Sequence, residues 1–205
     1  VCATNPGIWR STTPGARNEV GYPLFGLWDR KITSFSDKNG DGLIGDDEID
    51  VPTALAYRGP SLPQLEAGLS TTFGFFNRAL QMSVLMDYRG DFYKRWQYEE
   101  WRCQSSGNCA AVNDPKASLA DQAAATAANS SAKRTVWGYY VPNDFMKLRE
   151  ISANYTLPAN LAARWLHSRS VSINVAARNL GYPWSKYPGI DPESNNSVAN
   201  NGGGN

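Results

Sequence analysis

Between Leu65 and Phe75 the chain alternates strictly. Leu65, Ala67, Leu69, Thr71, Phe73 and Phe75 fall on one face of an extended segment, and Glu66, Gly68, Ser70, Thr72 and Gly74 on the other. That is a period of two, the repeat of a strand with one apolar and one polar face. After Phe76-Asn77-Arg78-Ala79 it recurs, with Leu80, Met82, Val84, Met86 and Tyr88 alternating with Gln81, Ser83, Leu85, Asp87 and Arg89. Two such segments across a tight Asn-containing turn predict a hairpin of strands over 64–76 and 79–90. A third strand, 147–157, sets Ile151, Ala153, Tyr155 and Leu157 against Glu150, Ser152, Asn154 and Thr156. A fourth, 169–180, sets Val171, Ile173, Val175 and Ala177 against Ser170, Ser172, Asn174, Ala176 and Arg178. Residues 22–35 alternate weakly and are read as one more strand.

The other segments lack this period. Residues 1–21, rich in Pro, Gly, Thr and Arg, the long stretches 36–63 and 91–145, and the Pro-, Asn- and Gly-rich 181–205 read as loops. Inside 91–145 the Ala-rich run from Ser118 to Ala128 favours a short helix, with Asp114-Pro115 ahead of it as a start signal. Ala159 to His167, after Pro158, has room for one or two helical turns. A loop as long as 91–145 is uncommon inside a compact domain unless it is functional.

Two all-β architectures fit long antiparallel strands with one apolar face. One is a soluble β-sandwich, whose apolar faces meet in a core. The other is a transmembrane β-barrel, whose apolar face meets lipid and whose polar face lines a wet lumen. The expected strand lengths match a tilted crossing of the membrane. Short connections (77–79, 158–168) alternate with long ones (91–145, 181 onward), as barrels do. Phe73, Phe75, Phe76, Tyr88 and Tyr155 gather at strand ends, where aromatic girdles sit. These features favour the barrel. Parity then makes 36–63, 91–145 and 181–205 extracellular loops.

The 36–63 stretch carries candidate chemistry. Asp37-Lys-Asn-Gly-Asp-Gly-Leu-Ile-Gly-Asp-Asp-Glu48 matches a twelve-residue calcium loop. Asp37, Asn39 and Asp41 fall at the first, third and fifth positions, where side-chain oxygens reach a hard cation. Gly42 allows the sharp turn, Leu43 offers its carbonyl, and Glu48 closes the loop as a bidentate ligand. The flanking helices of an EF-hand are missing, because Pro23, Pro52 and Gly59-Pro60 interrupt both sides. The alternative is a metal-free Asx/Gly turn. Cys103 and Cys109 bracket a short polar turn and are a candidate disulfide, with two unpaired thiols as the alternative; Cys2 is left over.

Composition narrows the function classes. Seven Trp, ten Tyr and seven Phe are many aromatics for a polar chain, and suit a β-protein or an outer-membrane barrel. A net charge of +1 gives no case for nucleic acid as a partner. No enzyme is expected. His167, the one histidine, sits in a short turn beside Arg164 and Arg169, and no Ser/His/Asp set can be assembled around it. Asp46 and Asp47 read as calcium-loop acids, and Lys147, Arg149 and Glu150 as strand-end and lumen charges. Trp96, Tyr98, Trp101 and Trp184 are candidates for stacking on sugar rings, against a plainer role as packing or girdle aromatics. The start, Val1-Cys2-Ala3-Thr4-Asn5-Pro6, resembles neither a signal peptide nor an initiator segment, so the chain reads as part of something longer.

Taken together, Asp37-Lys-Asn-Gly-Asp-Gly-Leu-Ile44, Pro63-Gln-Leu-Glu-Ala-Gly-Leu-Ser70, Asp144-Phe-Met-Lys-Leu-Arg-Glu-Ile-Ser-Ala-Asn-Tyr-Thr-Leu-Pro158, Val175-Ala-Ala-Arg-Asn-Leu180 and Tyr187-Pro-Gly-Ile-Asp-Pro-Glu193 resemble the SusC/RagA family of TonB-dependent outer-membrane transporters. The resemblance spans roughly residues 22–193. It implies about five strands from the C-terminal end of a barrel of roughly 22. It also implies import of oligosaccharides or peptides, a SusD-like surface lipoprotein as lid, and the TonB–ExbB–ExbD motor as energy source. The family's plug domain, its TonB-contacting segment and its final strand have no counterpart in these residues, so the first and last strands are expected to be open edges. The runner-up function is a secreted, calcium-stabilised β-module for adhesion or glycan binding.

Overall fold

Where the sequence alternates most strictly, the chain forms long antiparallel strands. The computed structural model describes residues 14–194. In chain order the elements are β1 (Gly15–Arg17), β2 (Gly26–Arg30), β3 (Ser34–Phe35), β4 (Ile49–Asp50), β5 (Leu55–Pro60), β6 (Leu65–Phe75), β7 (Leu80–Gly90) and β8 (Tyr93–Arg95). Then come α1 (Gln97–Gln104), α2 (Ala110–Asn113), α3 (Leu119–Asn129), β9 (Tyr140–Pro142), β10 (Phe145–Thr156), α4 (Ala159–Leu166) and β11 (Ser172–Ser185). The strands pair antiparallel throughout. The chain divides into two compact units, one comprising Leu65–Gly90 with Asp144–Lys186 and the other the remainder. No helix among the described residues is long and apolar enough to cross a membrane, which says nothing of strands.

The Leu65–Gly90 and Asp144–Lys186 unit is a four-stranded sheet in the order β11-β10-β7-β6. Its hairpin turns through Phe76, Asn77 and Arg78, all left-handed with φ of 51°, 57° and 68°, and Ala79 N–H donates to the Phe76 carbonyl at 3.0 Å. The register puts whole rows on one face. Phe75, Leu80, Tyr155 and Ile173 form one row, Thr71, Val84, Ile151 and Ala177 another, and Ala67, Tyr88, Met146 and Trp184 a third. The opposite face carries Glu66, Asp87, Arg89, Glu150 and Arg178. Leu65, Leu69, Phe73, Phe75, Ile173 and Val175 are all more than 45 % exposed, so the apolar face is open. Among the described residues the sheet does not close on itself, and β6 and β11 are its edges.

A bulge reconciles β10 with this pattern. Leu148 pairs with Met86 but Glu150 with Leu85, so Arg149 is an extra residue. The insertion brings Arg149 into ion-pairing distance of Asp87, its Nε lying 2.7 Å from each carboxylate oxygen, while Glu150 accepts from Arg178 at 2.8 Å. Bulges re-aim side chains in this way. The expected 169–180 strand runs on to Ser185. Further shifts fall opposite Leu148 and Met146, where Asn179 (φ 54°) and Gly181 (φ 108°) adopt left-handed backbone. Among the described residues β11 is an edge strand, a position where Pro183 is tolerated.

The expectation of one strand over 22–35 is corrected. That stretch yields two short pieces, β2 and β3, and neither joins the four-stranded sheet. Pro23 and a left-handed Phe25 (φ 54°) precede β2, and the chain leaves β structure again at Lys31. β2 is the centre of a three-stranded sheet, β1-β2-β5, and Leu27, Trp28 and Asp29 are all buried. A strand buried on both faces cannot alternate in a single-faced way, which explains its weak pattern.

The 91–145 stretch, expected as a loop with one Ala-rich helix, holds three helices. The helix expected at 118–128 is α3, its N-terminus capped by the Ser118 hydroxyl, which accepts from Asp121 N–H at 3.1 Å. α3 is the core of its unit. Ala123 and Ala127 pack on Ile44, Ile49 and Val51, and Ala124, Ala125 and Ala128 pack with Cys103, Cys109 and Tyr139. Alanine permits this close two-sided approach, and a Cβ on Gly138 would lie 2.4 Å from the Ala124 Cβ.

Candidate functional site: the Asp37–Glu48 loop

Short side chains facing their own backbone define this loop. Asp37 accepts from Gly40 N–H at 2.7 Å and from Gly42 N–H at 2.9 Å. Asn39 Oδ1 accepts from Asp41 N–H at 2.9 Å, and Asp41 Oδ1 from Leu43 N–H at 2.8 Å. Glu48, 4 % exposed, reaches back across the loop and accepts from Lys38 N–H (2.6 Å), Asn39 N–H (3.2 Å) and Gly45 N–H (2.9 Å). Gly42 has a φ of 81°, the turn that an L-residue with a side chain resists. All the sequence-nominated ligands, Asp37, Asn39, Asp41, Leu43 and Glu48, thus belong to one closed turn. Among the described residues, the His/Cys/Asp/Glu ligand atoms gathered within 4.8 Å of one another are those of Glu99, Cys103 and Cys109, whose sulfurs are joined to each other. The loop carboxylates hold backbone N–H groups.

The loop is anchored by residues that no motif nominated. The Ile44 N–H donates to Gln122 Oε1 at 2.9 Å, and the Ile44 carbonyl accepts from the Thr126 hydroxyl at 2.8 Å. Gln122 Nε2 also donates to the Gly42 carbonyl at 3.1 Å. Gln122 and Thr126 are four apart, hence on one face of α3, and that spacing is the signal that could have marked them. Lys133 Nζ adds a bond to the Ile49 carbonyl at 2.7 Å. An open groove runs beside this clamp, lined by Leu43, Asp46, Val112, Gln122 and Thr126 among others.

The nominated cysteines are joined, Cys103 to Cys109, with Cα atoms 5.0 Å apart, and both are buried beside α3. Cys2 lies outside the described residues, as do residues 195–205 of the stretch expected to be extracellular. α1 runs into this disulfide, and its Glu100 takes a bidentate pair from Arg95, both contacts at 2.5 Å. Lys94, also buried, donates to the carbonyls of Asp191 (3.1 Å), Pro192 (3.2 Å) and Ser194 (2.7 Å) and lies 4.6 Å from the Tyr187 ring centroid. Burial holds its ammonium below the usual lysine range. The aromatic candidates separate. Tyr98 and Trp101 share an exposed face of α1, Trp96 is half-buried, and Trp184 stacks on Tyr88 at 6.2 Å in the four-stranded sheet. His167 takes the left-handed position that ends α4.

Two carboxylates respond to pH in opposite senses. The Gly45 and Lys38 N–H groups, with that of Asn39, hold the Glu48 carboxyl below the usual glutamate range. Burial pushes Asp29 up, although Val136 N–H (2.9 Å) and Arg30 N–H (2.7 Å) partly offset it. A depressed folded-state value contributes stability above the unfolded-state value, and loses it as pH falls through the folded one. For Glu48 that loss begins below an unfolded-state value of about 4.3. Asp29 works the other way, its contribution present at low pH and lost as pH rises through its raised value. As pH falls below that unfolded-state value for Glu48, the protection of the Lys38 and Gly45 amides, taken relative to their intrinsic exchange rates, is therefore expected to fall in the native protein, and Glu48→Gln is expected to remove that change in protection.

No family model, curated protein or solved structure matches the chain.

Proposed function

We propose that the chain is part of the wall and outer loops of a SusC/RagA-type, TonB-dependent outer-membrane transporter that imports oligosaccharides or peptides. The observation that carries this reading is the four-stranded sheet. One face is apolar, exposed and without a charged residue in its paired rows, while the ion pairs Asp87–Arg149, Glu150–Arg178 and Glu66–Arg89 lie on the other. In water such a face invites association, whereas in a bilayer it is the expected surface. Leu65 to Phe75 is ten residue steps, about 33 Å along the strand. At a tilt of about 40° this spans about 25 Å, the height of an outer-membrane apolar band. Aromatic residues bracket an aliphatic middle, with Phe73, Phe75 and Tyr155 towards one end and Tyr88 and Trp184 towards the other, as girdles do.

In this reading residues 36–63 and 91–145 are extracellular loops that shape the mouth and receive a SusD-like lipoprotein, and the TonB–ExbB–ExbD motor drives transport. The Asp37–Glu48 loop takes a structural Ca²⁺ through Asp37, Asn39, Asp41, Glu48 and the Leu43 carbonyl. Affinity is expected on the order of 10⁻⁴–10⁻³ M, as in extracellular modules. Calorimetry tests this: Ca²⁺-dependent heat in the native protein, lost in Asp41→Ala, is the expected result, and no heat removes the metal. Fractionation of cells tests the whole reading. Recovery in the outer-membrane fraction, released by detergent alone, supports it, and recovery as a soluble secreted protein favours the adhesion or glycan-binding module instead.

A further inference from the structure

At the hairpin end of the four-stranded sheet, aromatic and basic side chains occur together without acids. α4 lies between Leu157 and Val171, whose backbones pair through Leu157 N–H and the Val171 carbonyl at 2.9 Å. Thr156 N–H donates to the Ala79 carbonyl at 2.8 Å, so the Phe76–Arg78 turn is at the same end. α4 is seated through Ala162, which is fully buried, but Leu161 (42 % exposed), Trp165 (75 %) and Leu166 (56 %) are left open beside it. Phe76 is 78 % exposed. Around them stand Arg78, Arg164, His167 and Arg169, all exposed. Neither 67–86 nor 151–190 contains an Asp or Glu.

We propose that α4 and the Phe76–Arg78 turn form an interfacial anchor that binds the anionic headgroups of the bilayer leaflet at this end of the sheet. Leu161, Trp165, Leu166 and Phe76 enter the headgroup–acyl boundary, and Arg78, Arg164 and Arg169 contact lipid phosphates. Leu161, Trp165 and Leu166 on α4, with Arg164 among them and Arg78 and Arg169 outside the helix, give the mixture of exposed apolar and basic side chains that such a boundary accepts. A soluble partner would need acidic groups facing three arginines, whereas an anionic leaflet supplies that charge continuously with the apolar surface of the neighbouring strands. The overall net charge of +1 conceals this cluster, because the acids lie elsewhere in the chain. The inference rests on the membrane reading of the sheet.

The test uses the whole barrel protein that contains this chain, reconstituted in phosphatidylcholine vesicles that carry brominated lipid, with the Trp165 emission taken as wild type minus Trp165→Phe. Each arginine near an anionic surface is worth about a fivefold enrichment. Brominated phosphatidylglycerol is therefore expected to quench the Trp165 component about fivefold or more above the same fraction of brominated phosphatidylcholine. Bromines near the headgroup should quench more than bromines deep in the chain. In the R78Q/R164Q/R169Q variant the two lipids should become equal. If the remaining tryptophan emission is quenched but the Trp165 component is not, or if the wild type does not distinguish the two lipids, the anchor is overturned while the membrane reading stands. If no tryptophan is quenched by any brominated lipid, the membrane reading itself fails.

Discussion

Val84→Arg is expected to destabilise the membrane-inserted protein by about 2–4 kcal/mol, and the adjacent Ser83→Arg by less than about 1 kcal/mol. The two positions share one strand and one depth and differ only in face. Val84 lies in the central apolar row with Thr71, Ile151 and Ala177. An arginine there must either sit in hydrocarbon or drag headgroups and water towards the middle of the bilayer. Ser83 lies on the polar face, where its hydroxyl is 2.9 Å from that of Thr72. An arginine there loses one exposed hydrogen bond and remains in water. Unfolding by urea in lipid vesicles measures the difference. In a soluble sandwich Val84→Arg would also be costly, but the cost would not depend on the presence of lipid.

Glu100→Ala should be the most damaging single change in the other unit, at about 3–5 kcal/mol. Glu100 is 1 % exposed and is paired with Arg95, whose side chain is 20 % exposed. Removing the carboxylate leaves a guanidinium largely out of water and a cavity at the start of α1. A buried pair is a poor source of net stability, because its desolvation cost offsets much of its attraction. Breaking it is costly for that same reason. Replacing both residues with apolar ones of similar volume, Arg95→Met with Glu100→Leu, is therefore expected to recover most of the loss. Urea denaturation of the single and double variants separates these effects. A single variant as stable as the wild type would contradict the burial of the pair.

The hairpin and the two strands after it were legible because one face is apolar and the other polar, which writes a period of two into the sequence. The bulge at Arg149 was not read from the sequence, where Arg149 passed as a strand-end charge, although its trace is in the phase. The apolar positions run Met146, Leu148, then Ile151, Ala153 and Tyr155, and the three-residue step marks the insertion. The end of β11 was not legible, since Asn179, Gly181 and Pro183 read as loop residues and become strand only through bulges on an edge. β2 failed for a different reason: it is buried all round, and periodicity has nothing to report there. At the loop, spacing named the five ligand positions, but the clamp from Gln122 and Thr126 is a contact across about eighty residues, carried by side chains too ordinary to stand out. α1 was hidden by its aromatic and charged composition, although Glu99 and Arg102, three apart and 2.8 Å from each other, are a helical pair.

Spin labels placed one at a time along β7, from Leu80 to Tyr88, in bilayers and in a background with Cys2 replaced by serine, test the lipid-facing role of the sheet most directly. Labels at Leu80, Met82, Val84, Met86 and Tyr88 are expected to collide with oxygen dissolved in the lipid, and those at Gln81, Ser83, Leu85 and Asp87 with a water-soluble nickel chelate. The alternation should be strict through the strand. If the even-numbered positions are shielded from oxygen, or meet the chelate as readily as their neighbours, the apolar face does not meet lipid and the sheet is not a barrel wall.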